Sequence, residues 1–121
     1  QLGISTGLAL KGFIPISIYP RWDFLILATN QIVSHLDRMK EMSDGQFDPF
    51  VIIRTCVGSS SPLMPGPQHS NDYHEAFEKM LKYVKVHDIK NSKDVLPIYR
   101  KVMAERIPSI VAEHSDLYDT E

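Results

Sequence analysis

An α/β fold, a three-layer sandwich with a mainly parallel sheet flanked by helices, is predicted by three observations. Strand-like and helix-like stretches alternate along the 121 residues, which argues for a parallel sheet with right-handed crossovers. The run Phe50 to Val57 is apolar apart from Arg54 and Thr55, as expected for a strand buried on both faces. Glycine, proline and serine clusters fall where one periodicity gives way to the next.

The elements follow in order. Ile4, Leu8 and Lys11 share one helical face and Gly3 and Gly7 another, so residues 1–11 read as a helix ending at Gly12. The spacing of Gly3 and Gly7 would let another backbone approach, or serve packing alone. Phe13 to Tyr19, carrying Ile14, Ile16 and Ile18, reads as a short strand stopped at Pro20. Trp22-Asp23 opens a long helix with Asp23 as candidate N-cap. Leu25, Ala28, Ile32, Leu36 and Met39 supply its apolar stripe, and Ser43-Asp44-Gly45 ends it. Residues 50–57 form the second strand, and Gly58 to Pro67 a loop without periodicity. Asp72 and Glu75 resemble a capping box before a helix with Tyr73, Phe77, Met80 and Leu81 on one face. Tyr83 to His87 alternates as a third strand. Asp94 is a candidate cap for a third helix, with Pro97 in its first turn and Val95, Ile98, Val102 and Met103 on its apolar side. Pro108 leads into a fourth strand near Ser109 to Ala112.

Composition narrows the function classes. The chain is 43% hydrophobic and 23% charged, the balance of an ordinary globular domain. A net charge of −2 without a basic block gives no footprint for nucleic acid or an anionic membrane surface. The longest apolar run, Phe24 to Ala28, is too short to cross a bilayer. The single Cys56 excludes an internal disulfide and fits a reducing compartment, the cytoplasm or a mitochondrial matrix; it reads as a buried, inert thiol. His69 and His74-Glu75 do not form a His-Glu-x-x-His pattern, so no metal site is expected from local spacing. His35, His87 and His114 read as structural or solvated. Lys79, Lys82, Lys85, Lys90 and Lys93 read as a solvated face.

One segment carries more. Gly66-Pro67-Gln68-His69-Ser70 places a histidine in the loop between a buried strand and a capped helix. In an open α/β sheet, ligands bind outside the carboxyl ends of the strands. The residue pattern alone leaves His69 open as a surface loop histidine or a site group, and Phe24 open as a core aromatic.

The stretch from Gly7 to Ile16 resembles the helix-turn-strand near the start of transketolase-type pyrimidine-binding domains of thiamine diphosphate enzymes. Phe24, Asn30-Gln31-Ile32-Val33, Ser43-Asp44-Gly45-Gln46, Val51 to Arg54, Gln68-His69-Ser70 and the tail Pro108 to Tyr118 agree in the same order. The pattern is most similar to the beta subunit of 2-oxo acid dehydrogenases of the pyruvate and branched-chain type. The resemblance implies one pyrimidine-binding domain over residues 1–121, entered partway. It also implies that the family's activating glutamate lies upstream of Gln1; no acid precedes Asp23 here, so no residue is offered for it.

The resemblance further implies that Phe24 binds the cofactor, packing on the aminopyrimidine of thiamine diphosphate, and that His69 is catalytic, near the substrate. Gln68 and Ser70 would hold the His69 loop. It also implies a partner, an alpha-type subunit or diphosphate-binding domain carrying magnesium, within a homo- or hetero-oligomer. No glycine-rich phosphate loop occurs here. Departures from the family pattern fall after Arg54, where Thr55-Cys56-Val57-Gly58 replaces a Gly-Pro-x-Gly pattern, and at Ala104-Glu105-Arg106-Ile107, a turn that binds potassium in some relatives. A transketolase or deoxyxylulose phosphate synthase-like domain, and a non-catalytic relative kept for assembly, are the alternatives.

Overall fold

The computed structural model describes residues 1–118. Four parallel strands form one sheet in the order β1-β2-β4-β3, with β1 at Ile16–Ile18, β2 at Ile52–Val57, β3 at Lys85–Ile89 and β4 at Ser109–His114. The predicted sheet is therefore present and every pairing is parallel. Strand bounds differ from expectation at the ends. β1 keeps only the middle of the 13–19 run, because it is an edge strand with one neighbour. β3 starts two residues later than Tyr83, because Lys82 and Tyr83 belong to the turn that enters it.

Alternation on the central strands splits the core in two. Val51, Ile53, Ile110 and Ala112 face one layer of helix; Ile52 and Val111 face the other. The first layer holds α1 (Leu2–Leu10), the helical segment from residues 22 to 42, and α4 (His74–Met80). It contributes Leu2, Trp22, Leu25, Ile32, Leu36 and Phe77. The second layer is α5 (Val95–Glu105), whose Val102 packs with Phe50, Ile52, Ile89 and Val111. This division follows from topology. The chain moves one way along the sheet from β1 to β2 to β3, then back to β4. A right-handed crossover that reverses direction must change faces, and α5 does.

The segment 22–42 is not the single regular helix that its three-and-four spacing predicts. It runs as α2 (Trp22–Leu25), a 3₁₀ turn at Ile26–Ala28, a π-helical stretch at Gln31–Leu36 and α3 (Met39–Met42). The Asp37 N–H reaches back five residues to the Ile32 carbonyl at 2.9 Å, the signature of the wider turn. Asp23 is not the N-cap. Arg21 occupies that position in extended backbone, and Asp23 lies inside the first turn, with a carboxylate oxygen 2.6 Å from the Asn71 amide nitrogen. Asp72 accepts the His74 N–H at 3.1 Å and so does half the work of the predicted capping box. Asp94 stands at the start of α5 without a side-chain bond; Asn91, one turn earlier, accepts from the Lys93 N–H.

Two polar groups lock the end of the first helical layer to the sheet. Asp37 is 3% exposed and accepts the backbone N–H groups of Lys82, Tyr83 and Val84 at 2.7–3.1 Å. A turn that leads into a buried strand must satisfy those donors, and a carboxylate with two oxygens does so from a distance. Asp48 meets the Lys40 ammonium at 2.6 Å and the Tyr83 hydroxyl at 2.7 Å.

Burial opposes ionisation of Asp48, but Lys40 and Tyr83 outweigh it and hold its carboxyl below the ordinary 3.8. A carboxyl depressed on folding stabilises the fold above its ordinary pKa and loses that contribution as pH falls through its folded value. Urea midpoints at pH 6 and pH 3 should therefore differ less for Asp48→Asn than for the parent chain. Equal differences would show that Asp48 carries none of the acid sensitivity.

Candidate functional site

Because every strand points the same way, every chain segment leaving a strand emerges at one edge of the sheet. β1 and β2 are neighbours, so the residues after Ile18 and the long loop after Val57 emerge side by side. This brings Phe24 and His69 together. Their rings meet edge to face, centroids 5.6 Å apart and planes at 60°.

The His69 loop is tied both to itself and to the start of α2. Within it, the His69 N–H bonds to the Gly66 carbonyl at 3.1 Å, and the Ser70 hydroxyl bonds to the same carbonyl at 2.7 Å. Gly66 has φ +84°, left-handed backbone that suits glycine. Across to α2, the Arg21 guanidinium donates to the His69 carbonyl at 3.2 Å, and Asn71 donates to Asp23. Gly58 makes this approach possible. A Cβ there would come within 2.7 Å of the His69 carbonyl oxygen, 2.9 Å of Arg21 Nη1 and 3.0 Å of Ser70 Cα. Ser70 thus holds the loop as expected, while Gln68 is exposed.

Phe24 also lines a cleft of about 760 Å³ formed between α1 and the 22–42 segment. Phe24 is 40% exposed. Ile4, Tyr19, Leu27, Ala28 and Gln31 complete most of the wall, and Leu27 is 85% exposed. The wall is mainly apolar, with amide groups from Gln1 and Gln31 and no carboxylate among its residues. Gln31 opens the π-helical stretch, so the irregular turn is placed beside the cleft. His69 does not line the cleft; Phe24 is the residue common to both. On α1, the Gly3 side facing Gln31 leaves 3.6 Å to its side-chain oxygen, and a Cβ at Gly7 would meet nothing within 4 Å. No close backbone contact within the described residues uses either glycine.

A second polar group lies at the same edge of the sheet. The Arg54 guanidinium grips both oxygens of Glu113 at 2.8 and 2.7 Å, and the Tyr99 and Tyr118 hydroxyls donate to them at 2.7 and 2.9 Å. Glu113 is buried, with its acceptor capacity taken up by four donors, which makes it a brace between β2, β4 and α5. Cys56 beside it is buried, as expected, with its thiol directed to the Val57 carbonyl at 3.0 Å.

Sequence reading singled out His69 and Phe24 but missed Arg21, Gly58, Asn71 and Glu113. Gly58 offered the one local signal, as a glycine directly after a buried strand. The others act through partners distant in sequence: Arg21 with His69, Asn71 with Asp23 and Glu113 with Arg54 are separated by 48, 48 and 59 positions.

No family model matches the chain. Curated proteins do. The chain is 29% identical over 119 residues to "Pyruvate dehydrogenase E1 component subunit beta" of Cyanidium caldarium, covering 97% of the chain and 35% of that protein. It is 30% identical over 120 residues to the protein of the same name from Gracilaria tenuistipitata var. liui, covering 98% and 36%. It is 29% identical over 119 residues to "Pyruvate dehydrogenase E1 component subunit beta-3, chloroplastic" of Oryza sativa subsp. japonica, covering 97% and 29%. No helix of the described residues is long and apolar enough to cross a membrane. Along nearly its whole length, and over about a third of theirs, the chain is similar to pyruvate dehydrogenase E1 beta subunits.

Proposed function

We propose that this chain is the pyrimidine-binding part of a thiamine diphosphate-dependent 2-oxo acid dehydrogenase, in a beta-like subunit that works with an alpha-type partner. The contact between Phe24 and His69 carries the reading. It places a half-exposed aromatic on the wall of an apolar cleft and an imidazole against that aromatic, at the carboxyl edge of a parallel sheet.

The residues present fit one end of the cofactor. A flat aminopyrimidine suits the exposed face of Phe24, with Ile4 and Leu27 excluding water around it. The amides of Gln1 and Gln31 offer hydrogen bonds at the rim. Nothing in the cleft wall is suited to a diphosphate with magnesium, so a partner subunit or domain would hold that end. When bound, thiamine diphosphate supplies the nucleophilic carbon for attack on a 2-oxo acid. This chain would orient the ring, exclude water beside it and, through the His69 imidazole, give or take a proton at the substrate-derived group. Arg21 and Asn71 would keep that imidazole in place by fixing its loop.

The departures from the family pattern after Arg54 and at Ala104 to Ile107 favour a second reading, a non-catalytic relative that keeps the fold for assembly. Cofactor titration separates the two. With the alpha-type partner present, calorimetric titration of thiamine diphosphate and magnesium should show binding that Phe24→Ala weakens roughly tenfold. The chain on its own should turn over no 2-oxo acid. Failure of the assembled protein to bind the cofactor, or binding indifferent to Phe24→Ala, would favour the assembly role.

A further inference from the structure

His87 stands on β3 opposite Val111 of β4, so its ring points to the face of the sheet that α5 covers. Lys85 and Ile89 share that face. Lys85 is exposed and Ile89 is buried, so the ring lies at the boundary between solvent and core. Its Nε2 is buried and makes no hydrogen bond. Charges act on the ring from two elements. α5 presents Lys101 and Glu105, which face each other at 3.9 Å, and β3 itself presents Lys85. From β4, the residue opposite is the apolar Val111.

A neutral imidazole can keep its proton on Nδ1 and leave Nε2 a bare acceptor. A protonated one carries an N–H on both nitrogens. Nε2 would then be a buried donor without an acceptor, on a ring that also carries charge. Burial, followed by the Lys101 ammonium, holds the ring below the ordinary 6.5; Glu105 opposes this and Lys85 adds to it. To hydrate the second N–H, the ring must reach water, and α5 is the element that keeps water away.

We propose that His87 is an acid-sensitive latch: when its ring takes up a proton, α5 loosens from β3. Among the described residues α5 is the one α-helix over this face, so its loosening uncovers Phe50, Ile52, Ile89 and Val111 together. The opposite layer carries no part of the latch, so the contact between Phe24 and His69 should persist. The latch rests on packing and is independent of the cofactor reading.

The direction with pH follows from linkage. The folded ring stays neutral where the unfolded ring is already charged. The stability it contributes is complete above 6.5 and is lost as pH falls through 6.5 toward the folded value. His74 acts in the opposite sense: burial disfavours its charge, but Asp72 outweighs burial and raises it. The difference between the parent and a His87 variant therefore isolates the latch.

The full chain should be followed by NMR and by amide hydrogen exchange between pH 7.5 and pH 5, beside His87→Phe, which cannot be protonated. The His87 ring should titrate below 6.5. Protection of the α5 amides, corrected for intrinsic exchange, should fall more steeply with acid in the parent than in His87→Phe. The two readings must agree, because each pH unit between the folded value and 6.5 corresponds to about a tenfold loss in the closing equilibrium. At pH 7.5 His87→Phe should unfold in urea no earlier than the parent, since it removes an unpaired polar atom. If His87→Phe does not fold, His87→Gln replaces it. A ring that titrates at or above 6.5, α5 protection that falls equally in parent and variant, or a low-titrating ring with α5 protection unchanged by acid would overturn the latch.

Discussion

On the proposed function, His69→Ala in the assembled protein should lower 2-oxo acid turnover by about 10²–10⁴-fold, the range for a positioned acid–base group. The expectation rests on the imidazole's place against Phe24 and on the rigidity of its loop. Stability should change little, because the loop is held through the His69 carbonyl and the Ser70 and Asn71 side chains, none of which the substitution removes. Cofactor affinity should also hold, since the cleft wall does not include His69. A variant that binds thiamine diphosphate normally and turns over at the parent rate would exclude the acid–base role. Loss of turnover together with loss of folding would assign His69 to the scaffold instead.

The second large effect is on stability. Asp37→Ala leaves the N–H groups of Lys82, Tyr83 and Val84 without their acceptor, at the entrance to a buried strand. Each buried donor left unpaired costs about 1–3 kcal/mol, so a total of roughly 3–5 kcal/mol is expected. That is a large share of the ~5–15 kcal/mol that holds a domain together. Asp37→Asn keeps one carbonyl acceptor and should lose about half as much. Urea denaturation of the two variants measures both. A loss below about 1 kcal/mol for Asp37→Ala would mean that solvent replaces the carboxylate there.

Much of the fold is legible in the sequence. The apolar run at 50–57 can satisfy burial on both faces only inside a sheet, and alternation with helices makes that sheet parallel. The site is half legible. His69 stands out as a histidine after a buried strand, but Phe24 joins it only through the resemblance, since an aromatic on a helix start otherwise reads as core. The misses share a cause. Steps of three and four from Leu25 to Met39 fit a regular helix, and the spacing does not register the five-residue bond between Asp37 and Ile32. Asp23 has the residue type of a cap, but Asn71, distant in sequence, claims its carboxylate. Asp37 reads as one more polar residue on a helix, because its partners emerge only when β3 docks.

The strand order also carries a kinetic meaning. β1 and β2 flank one crossover and β3 and β4 another, so each pair can close over a modest loop. Among the strand pairings, the β2–β4 seam alone joins the two halves, through six register pairs from Ile52 with Ser109 to Val57 with His114. Its brace links Arg54 to Glu113 across 59 positions. Closing so long a loop costs entropy before any contact repays it. The seam is therefore the slowest contact to reach by chain diffusion, and two separately nucleated halves meet along it.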